Sequence, residues 1–121
     1  MPTHALLRRP ALTVADGLTT AREGRPDSAL TLEQFDAYAI ALQGAGIGIT
    51  VLDPLPDHPD AHFVEDVAVV TPAGVVLTRP GAAARRGEVA AIEPALRGEI
   101  VGRIEVPATL DGGDVLIVGT K

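Results

Sequence analysis

The stretch Pro59-Asp60-Ala61-His62-Phe63-Val64-Glu65-Asp66 places three carboxylates within seven residues and runs straight into the apolar sequence Val67-Ala68-Val69-Val70. Read as part of one strand, its side chains alternate between two faces. Val64 and Asp66 then point one way, and Phe63, Glu65 and Val67 the other. Asp66 shares its face with Ala68 and Val70, where a half-buried sheet keeps apolar residues. A carboxylate there loses water and needs a cation or donors in return. An arginine of the same chain is the ordinary partner for such an acid. A ligand cation is the alternative, and two features favour it. Asp60 lies just outside the strand and can converge on the same point, and a second acidic turn, Asp111-Gly112-Gly113-Asp114, follows later. Carboxylates gathered at strand ends form a receptor for a cation.

Composition bounds the rest. The chain has 121 residues, of which 46% are hydrophobic, which suits about one folded domain with a real core. Its longest apolar runs fall far short of the roughly 20 residues a membrane span needs. The apolar stretch near Met1–Pro10 is too short for a signal peptide, so the cytoplasm is the expected compartment. Cysteine is absent, which excludes disulfides, thiolate metal sites and a cysteine nucleophile within these residues. A net charge of −6, with two Phe, one Tyr and no Trp, argues against a nucleic-acid surface. A small cationic partner suits this balance better. No metal, cofactor or membrane partner is expected.

The chain opens with a predicted strand at His4–Arg8, stopped by Pro10, followed by a long surface loop over residues 13–28. Loops of that length in compact domains often serve as lids, and Leu18 is the apolar residue placed to fold over a site. A helix is predicted over 29–43, with a capping box at Thr31 and Gln34 and Ser28 as a competing N-cap. Leu32, Phe35, Ala39 and Leu42 make its apolar stripe, and Gly44 and Gly46 stop it. Ile47, Ile49 and Val51 alternate in the next strand. Beyond the acidic strand, Thr71-Pro72-Ala73-Gly74 turns the chain into Val75–Thr78 as a hairpin. A second helix is predicted over 83–96, with a kink or early end at Pro94. Strands at Ile100–Ile104 and Val115–Val118 complete the reading.

Ala41-Leu42-Gln43-Gly44 and Ala95-Leu96-Arg97-Gly98 match at an offset of 54 residues. Each match ends a helix and precedes an alternating strand, a proline and an acidic turn. Repeats of this length point to radial or stacked modules. The chain reads as two modules and the start of a third, unfinished one.

Phe63-Val64-Glu65-Asp66, Thr78-Arg79-Pro80-Gly81 with Arg85-Arg86, and Leu110-Asp111-Gly112-Gly113-Asp114 resemble the N-terminal part of a dimethylargininase, a member of the guanidino-group-modifying or pentein superfamily. Asp16-Gly17-Leu18-Thr19 and Gly24-Arg25-Pro26-Asp27 fit the same pattern, so the resemblance covers essentially the whole chain. It implies an α/β propeller with five blades of ββαβ modules. Module one would span about 1–56 and module two about 57–107, with 108–121 opening module three.

The implied activity is hydrolysis of asymmetric dimethylarginine or monomethylarginine to citrulline and a methylamine, through a covalent cysteine intermediate and without a cofactor. Guanidinium is planar and cationic, and carboxylates hold it with paired charge-assisted hydrogen bonds. By resemblance, Asp60 and Asp66 bind the guanidinium, Glu65 supports them, Arg85 holds the substrate's α-carboxylate and Leu18 covers the bound amino acid. Asp111 takes the part of the acid that orients a catalytic histidine. Arg86, beside Arg85, reads as a solvated helix residue. The nucleophilic cysteine is missing, and His4, His58 and His62 do not match the catalytic histidine, so these residues alone are expected to be inactive. An arginine deiminase or amidinotransferase relative ranks lower, because Phe63-Val64-Glu65-Asp66 lacks the arginine of the deiminase version. A non-catalytic guanidino-binding fragment is the third reading. An unclosed propeller edge should make the isolated chain self-associate.

Overall fold

The computed structural model describes residues 2–119. The chain divides into two compact units, Met1–His62 and Phe63–Lys121.

In the first unit, strand β1 (His4–Arg8) pairs in parallel with β2 (Gly48–Leu52), Leu6 facing Thr50. Parallel neighbours need a crossover, and helix α1 (Ser28–Gly44) provides it. Its N-cap is Asp27, not Thr31 or Ser28: Asp27 Oδ1 accepts the Leu30 amide at 2.9 Å. The Thr31 hydroxyl donates to the Asp27 carbonyl at 2.7 Å. An aspartate accepts helix amides as a full charge, which gives it the advantage over Ser28. The expected stripe Leu32, Phe35, Ala39 and Leu42 is the half-buried face. None of the 17 residues of α1 is fully buried, and Leu30, Tyr38 and Ile40 are 52%, 56% and 68% exposed. Gly46, at φ +82°, turns the chain from the helix into β2. Leu7, Ala11, Val14 and Ala61 are the buried apolar residues of this unit. The predicted loop contains one 3-10 turn, Leu12–Asp16, and no regular structure from there to Asp27.

In the second unit, β3 (Ala68–Thr71) and β4 (Gly74–Leu77) form the predicted hairpin, and β5 (Ile100–Arg103) lies parallel to β4. Gly74 adopts φ +135°, and any Cβ there would meet the Val101 side chain, so glycine is required twice over. Helix α2 (Gly87–Ile92) makes the β4-to-β5 crossover. The single helix predicted over 83–96 is three pieces, with 3-10 turns at Ala83–Arg85 and Glu93–Leu96. Pro94 lacks an amide hydrogen and its ring crowds the preceding turn, so the α-helix ends at Ile92. Val67, Val75, Leu77, Val89, Ile92 and Leu96 form the core. Leu77 is fully buried, a burial that stabilises by about 2 kcal/mol.

Two predicted strands differ. Val64–Asp66 is a 3-10 turn and the strand starts only at Ala68, so the two-face alternation does not extend back to Asp66. The Asp66 amide donates to the Phe63 carbonyl at 3.1 Å, closing the turn in place of a strand ladder. Val115–Val118 is not a strand and all four residues are exposed. A strand exists only beside a partner, and the described residues offer it none.

Candidate functional site

The candidate residues form two groups, one in each unit. In the first, Asp60 Oδ2 accepts the Leu18 amide at 2.8 Å. A Cβ at Gly17 would collide with Asp60 Oδ1, so the glycine before Leu18 is what lets the carboxylate reach the turn. The Leu18 side chain itself is exposed. Asp60 thus anchors the start of the long loop to the Pro-rich segment that precedes the acidic turn.

In the second unit, Asp66 is the hub. Its Oδ1 accepts the Gly113 amide at 3.1 Å and its Oδ2 accepts Arg85 Nη1 at 2.5 Å. The Asp66 carbonyl accepts the buried Thr78 hydroxyl at 2.7 Å. The ordinary partner, an arginine of the same chain, is therefore present. Arg85 is engaged on its other edge too, with Nε donating to Glu88 Oε1 at 3.1 Å and Nη2 to Glu88 Oε2 at 2.8 Å. Side-chain exposure is 21% for Asp66, 11% for Arg85 and 3% for Glu88. Burial on its own would ease proton loss from Arg85. Hydrogen bonds to Glu88 and Asp66, and their charges, outweigh it and hold the pKa above the ordinary arginine value. Arg85 stays protonated, and the trio carries one positive and two negative groups.

The second acidic motif closes on the first. A Cβ at Gly112 would run into the Glu65 carbonyl oxygen, and one at Gly113 into Asp66 Oδ1. Only a Gly-Gly pair lets the turn at Gly112–Asp114 seat against the turn at Val64–Asp66. Asp111, just before it, accepts the Gly81 amide on Oδ2 at 3.1 Å, and the Leu110 amide donates to the Arg79 carbonyl at 2.8 Å. Asp111 is therefore fixed to the break that follows β4. Glu65 is exposed. Arg86, read from the sequence as solvated, is half-buried and donates to the carbonyls of Pro80 and Gly81 at 2.9 and 3.0 Å. Its fork reaches two successive carbonyls that no helix or ladder satisfies, which draws it inward.

The structure thus brings Leu18 to Asp60, and Asp66 to Arg85 and to the turn that carries Asp111. Sequence reasoning placed Gly17, Thr78, Gly112 and Gly113 in motifs without giving them a role, and it missed Glu88. Its signal was present, since Glu88 lies three residues after Arg85, a spacing that faces the same side of a helix. Among the described residues no group of three His, Cys, Asp or Glu side chains could hold a metal ion. No described helix is long and apolar enough to cross a membrane. The geometry is that of a shielded cluster of two carboxylates and one guanidinium, tied to the second acidic turn by the Gly113 amide.

No family model matches the chain. Curated relatives do. It is 44% identical over 119 residues to the N(G),N(G)-dimethylarginine dimethylaminohydrolase of Pseudomonas aeruginosa, covering 96% of this chain and 47% of that one. It is 47% identical over 118 residues to the protein of the same name from Streptomyces coelicolor, covering 95% and 46%. The chain therefore spans about half the length of the curated relatives it matches. Among solved structures, a cysteine-to-serine variant of the Pseudomonas aeruginosa enzyme in complex with citrulline superposes with a TM-score of 0.94 at 43% identity, over 98% of this chain and 48% of that one. The N-terminal domain of ArgZ, an arginine dihydrolase of cyanobacteria, shares the fold at a TM-score of 0.79 and 18% identity, over 93% and 43%.

Proposed function

We propose that this chain, which is homologous to the dimethylarginine dimethylaminohydrolases of the pentein superfamily, carries the guanidinium-binding acids of an enzyme that hydrolyses methylated arginine to citrulline and a methylamine. The observation that carries the reading is Asp66: a carboxylate one-fifth exposed, fixed by the Gly113 amide and Arg85, in a cluster that keeps a net negative charge. Asp60 and Asp66 receive the planar cation, Glu65 adds to the acidic field and Arg85 holds the α-carboxylate. Leu18 covers the bound amino acid from its loop. Asp111 orients the histidine that serves as acid and base.

In this chemistry a cysteine thiolate attacks the guanidinium carbon, a C–S bond forms, and the C–N bond to the methylated nitrogen breaks. The departing amine takes its proton from the histidine. That histidine then removes a proton from water, which attacks the same carbon and breaks the C–S bond, leaving citrulline and the thiolate. The chain has no cysteine, and in this reading none of His4, His58 and His62 takes the catalytic place, so the nucleophile and its histidine come from protein sequence outside these 121 residues. In this reading the chain contributes two propeller modules, about 1–56 and 57–107, and the opening of a third.

The test is citrulline release from asymmetric dimethylarginine by this chain alone, and by a chimera joining it to the remaining half of the Pseudomonas aeruginosa relative. The chimera should turn over and the chain alone should not. Asp66→Asn in the chimera should cost on the order of 100-fold or more in kcat/KM, as loss of a charged transition-state contact does. Citrulline from the 121 residues alone, or a folded but inactive chimera, would show the reading to be wrong.

A further inference from the structure

We propose that Glu88 is a positioning residue that keeps Asp66 a receptor for cations. The proposal rests on the guanidinium reading of Asp66. Arg85 already lies on Asp66, and a lone Arg85–Asp66 pair would be neutral and a poor receptor for a second guanidinium. Glu88 changes that balance. It is 3% exposed, and both of its oxygens take N–H groups from one edge of Arg85, at 3.1 and 2.8 Å. The opposite nitrogen, Nη1, is left directed at Asp66 Oδ2. A two-point fork fixes the guanidinium plane as well as its position. A carboxylate this deeply buried is held there only by such pairing. With Glu88 in place the trio has a net charge of −1, so the cluster still attracts a cation at its most exposed member, Asp66. Glu88 touches no substrate. It acts through Arg85.

Charge and shape can be separated by comparing two ligands of nearly the same form. Nω,Nω-dimethylarginine is a cation at its head, and citrulline carries a neutral ureido group there. Each is titrated by NMR into the chimera with its nucleophilic cysteine changed to serine, and into the Glu88→Gln and Glu88→Asp forms of that protein. Glu88→Gln should weaken the cation by about tenfold and citrulline by less than about twofold. Glu88→Asp keeps the charge and should keep most of the preference for the cation. Equal losses for both ligands, or no loss for either, would overturn the role of Glu88. A folded chimera with Glu88 unchanged that binds neither ligand would instead overturn the guanidinium reading of Asp66, and this proposal with it. A second measurement does not depend on variants folding. The Arg85 Nε–H signal of the unliganded wild type should exchange slowly with solvent, and rapid exchange would overturn the proposal.

Discussion

The Gly113 amide donates to Asp66 Oδ1 at 3.1 Å, joining two acidic turns that lie 47 residues apart in the chain. The contact exists only because neither Gly112 nor Gly113 has a side chain. At Gly112 the obstacle would be the Glu65 backbone carbonyl, and at Gly113 the end of the Asp66 side chain. Backbone yields less readily than a carboxylate. Gly112→Ala should therefore destabilise by roughly 2–3 kcal/mol and Gly113→Ala by about 1 kcal/mol. Urea unfolding of the two variants checks the order, and the reverse order would contradict the packing described.

Removing Arg85 should cost more than removing any exposed charge. Arg85→Met leaves the Glu88 carboxylate buried without its cation, at a cost of about 3–5 kcal/mol. A carboxylate stranded in this way keeps its place only by taking up a proton. Its folded form then binds protons more tightly than the unfolded chain does, so its stability is present in acid and lost as pH rises. The Arg85→Met deficit should thus shrink between pH 7 and pH 4 in denaturant melts. By contrast the exposed Arg25–Asp16 pair should contribute less than about 1 kcal/mol.

Thr78 is buried, and its hydroxyl holds the Asp66 carbonyl at 2.7 Å. Thr78→Val keeps the shape and removes the donor. It should destabilise by about 1–2 kcal/mol, and hydrogen exchange at Asp66 and Val67 should quicken. Unchanged exchange there would detach Thr78 from the turn.

The N-cap of α1 gives a cleaner comparison. Asp27→Ala should cost about 1 kcal/mol, whereas Ser28→Ala, at the first helical position, should fall within about 0.5 kcal/mol of wild type. Equilibrium unfolding of the pair decides between the two caps.

Large apolar side chains at the surface of α1, Leu30, Tyr38 and Ile40, stand in water. Among the described residues β1 and β2 pair only with each other, and unpaired strand edges of that kind recruit further strands. Sedimentation should show a mass that rises with concentration, and a monodisperse monomer would count against that expectation.

Much of this was legible from residues alone because the signals are local. Alternation at Ile49 and Val51, the glycines at Gly44 and Gly46 and the turn at Thr71-Pro72-Ala73-Gly74 fix β2, the end of α1 and the hairpin from short-range sterics. Val64-Glu65-Asp66 misled because strand periodicity cannot register a partner distant in sequence. What bends that segment into a turn is a set of contacts with Thr78, Arg85 and Gly113. Val115–Val118 misled for the opposite reason, since its propensity is strandlike but the ladder that would realise it is missing among the described residues. Glu88 was overlooked because an acid beside an arginine on a short helix usually faces solvent. Burial made it matter here, and burial is a property of the fold.

The loop from Thr19 to Pro26 is exposed at every residue and has no regular structure. Its tethers are few: Thr19 takes the Ala21 amide at 3.0 Å, and Arg25 reaches back to Asp16 and the Ala15 carbonyl. No core residue lies in it. The backbone there can be lengthened, tagged or nicked with little disturbance to β1 or α1 on either side. For anyone building a sensor or a split reporter on this scaffold, the peptide bonds around Arg22 and Glu23 are the natural point of entry.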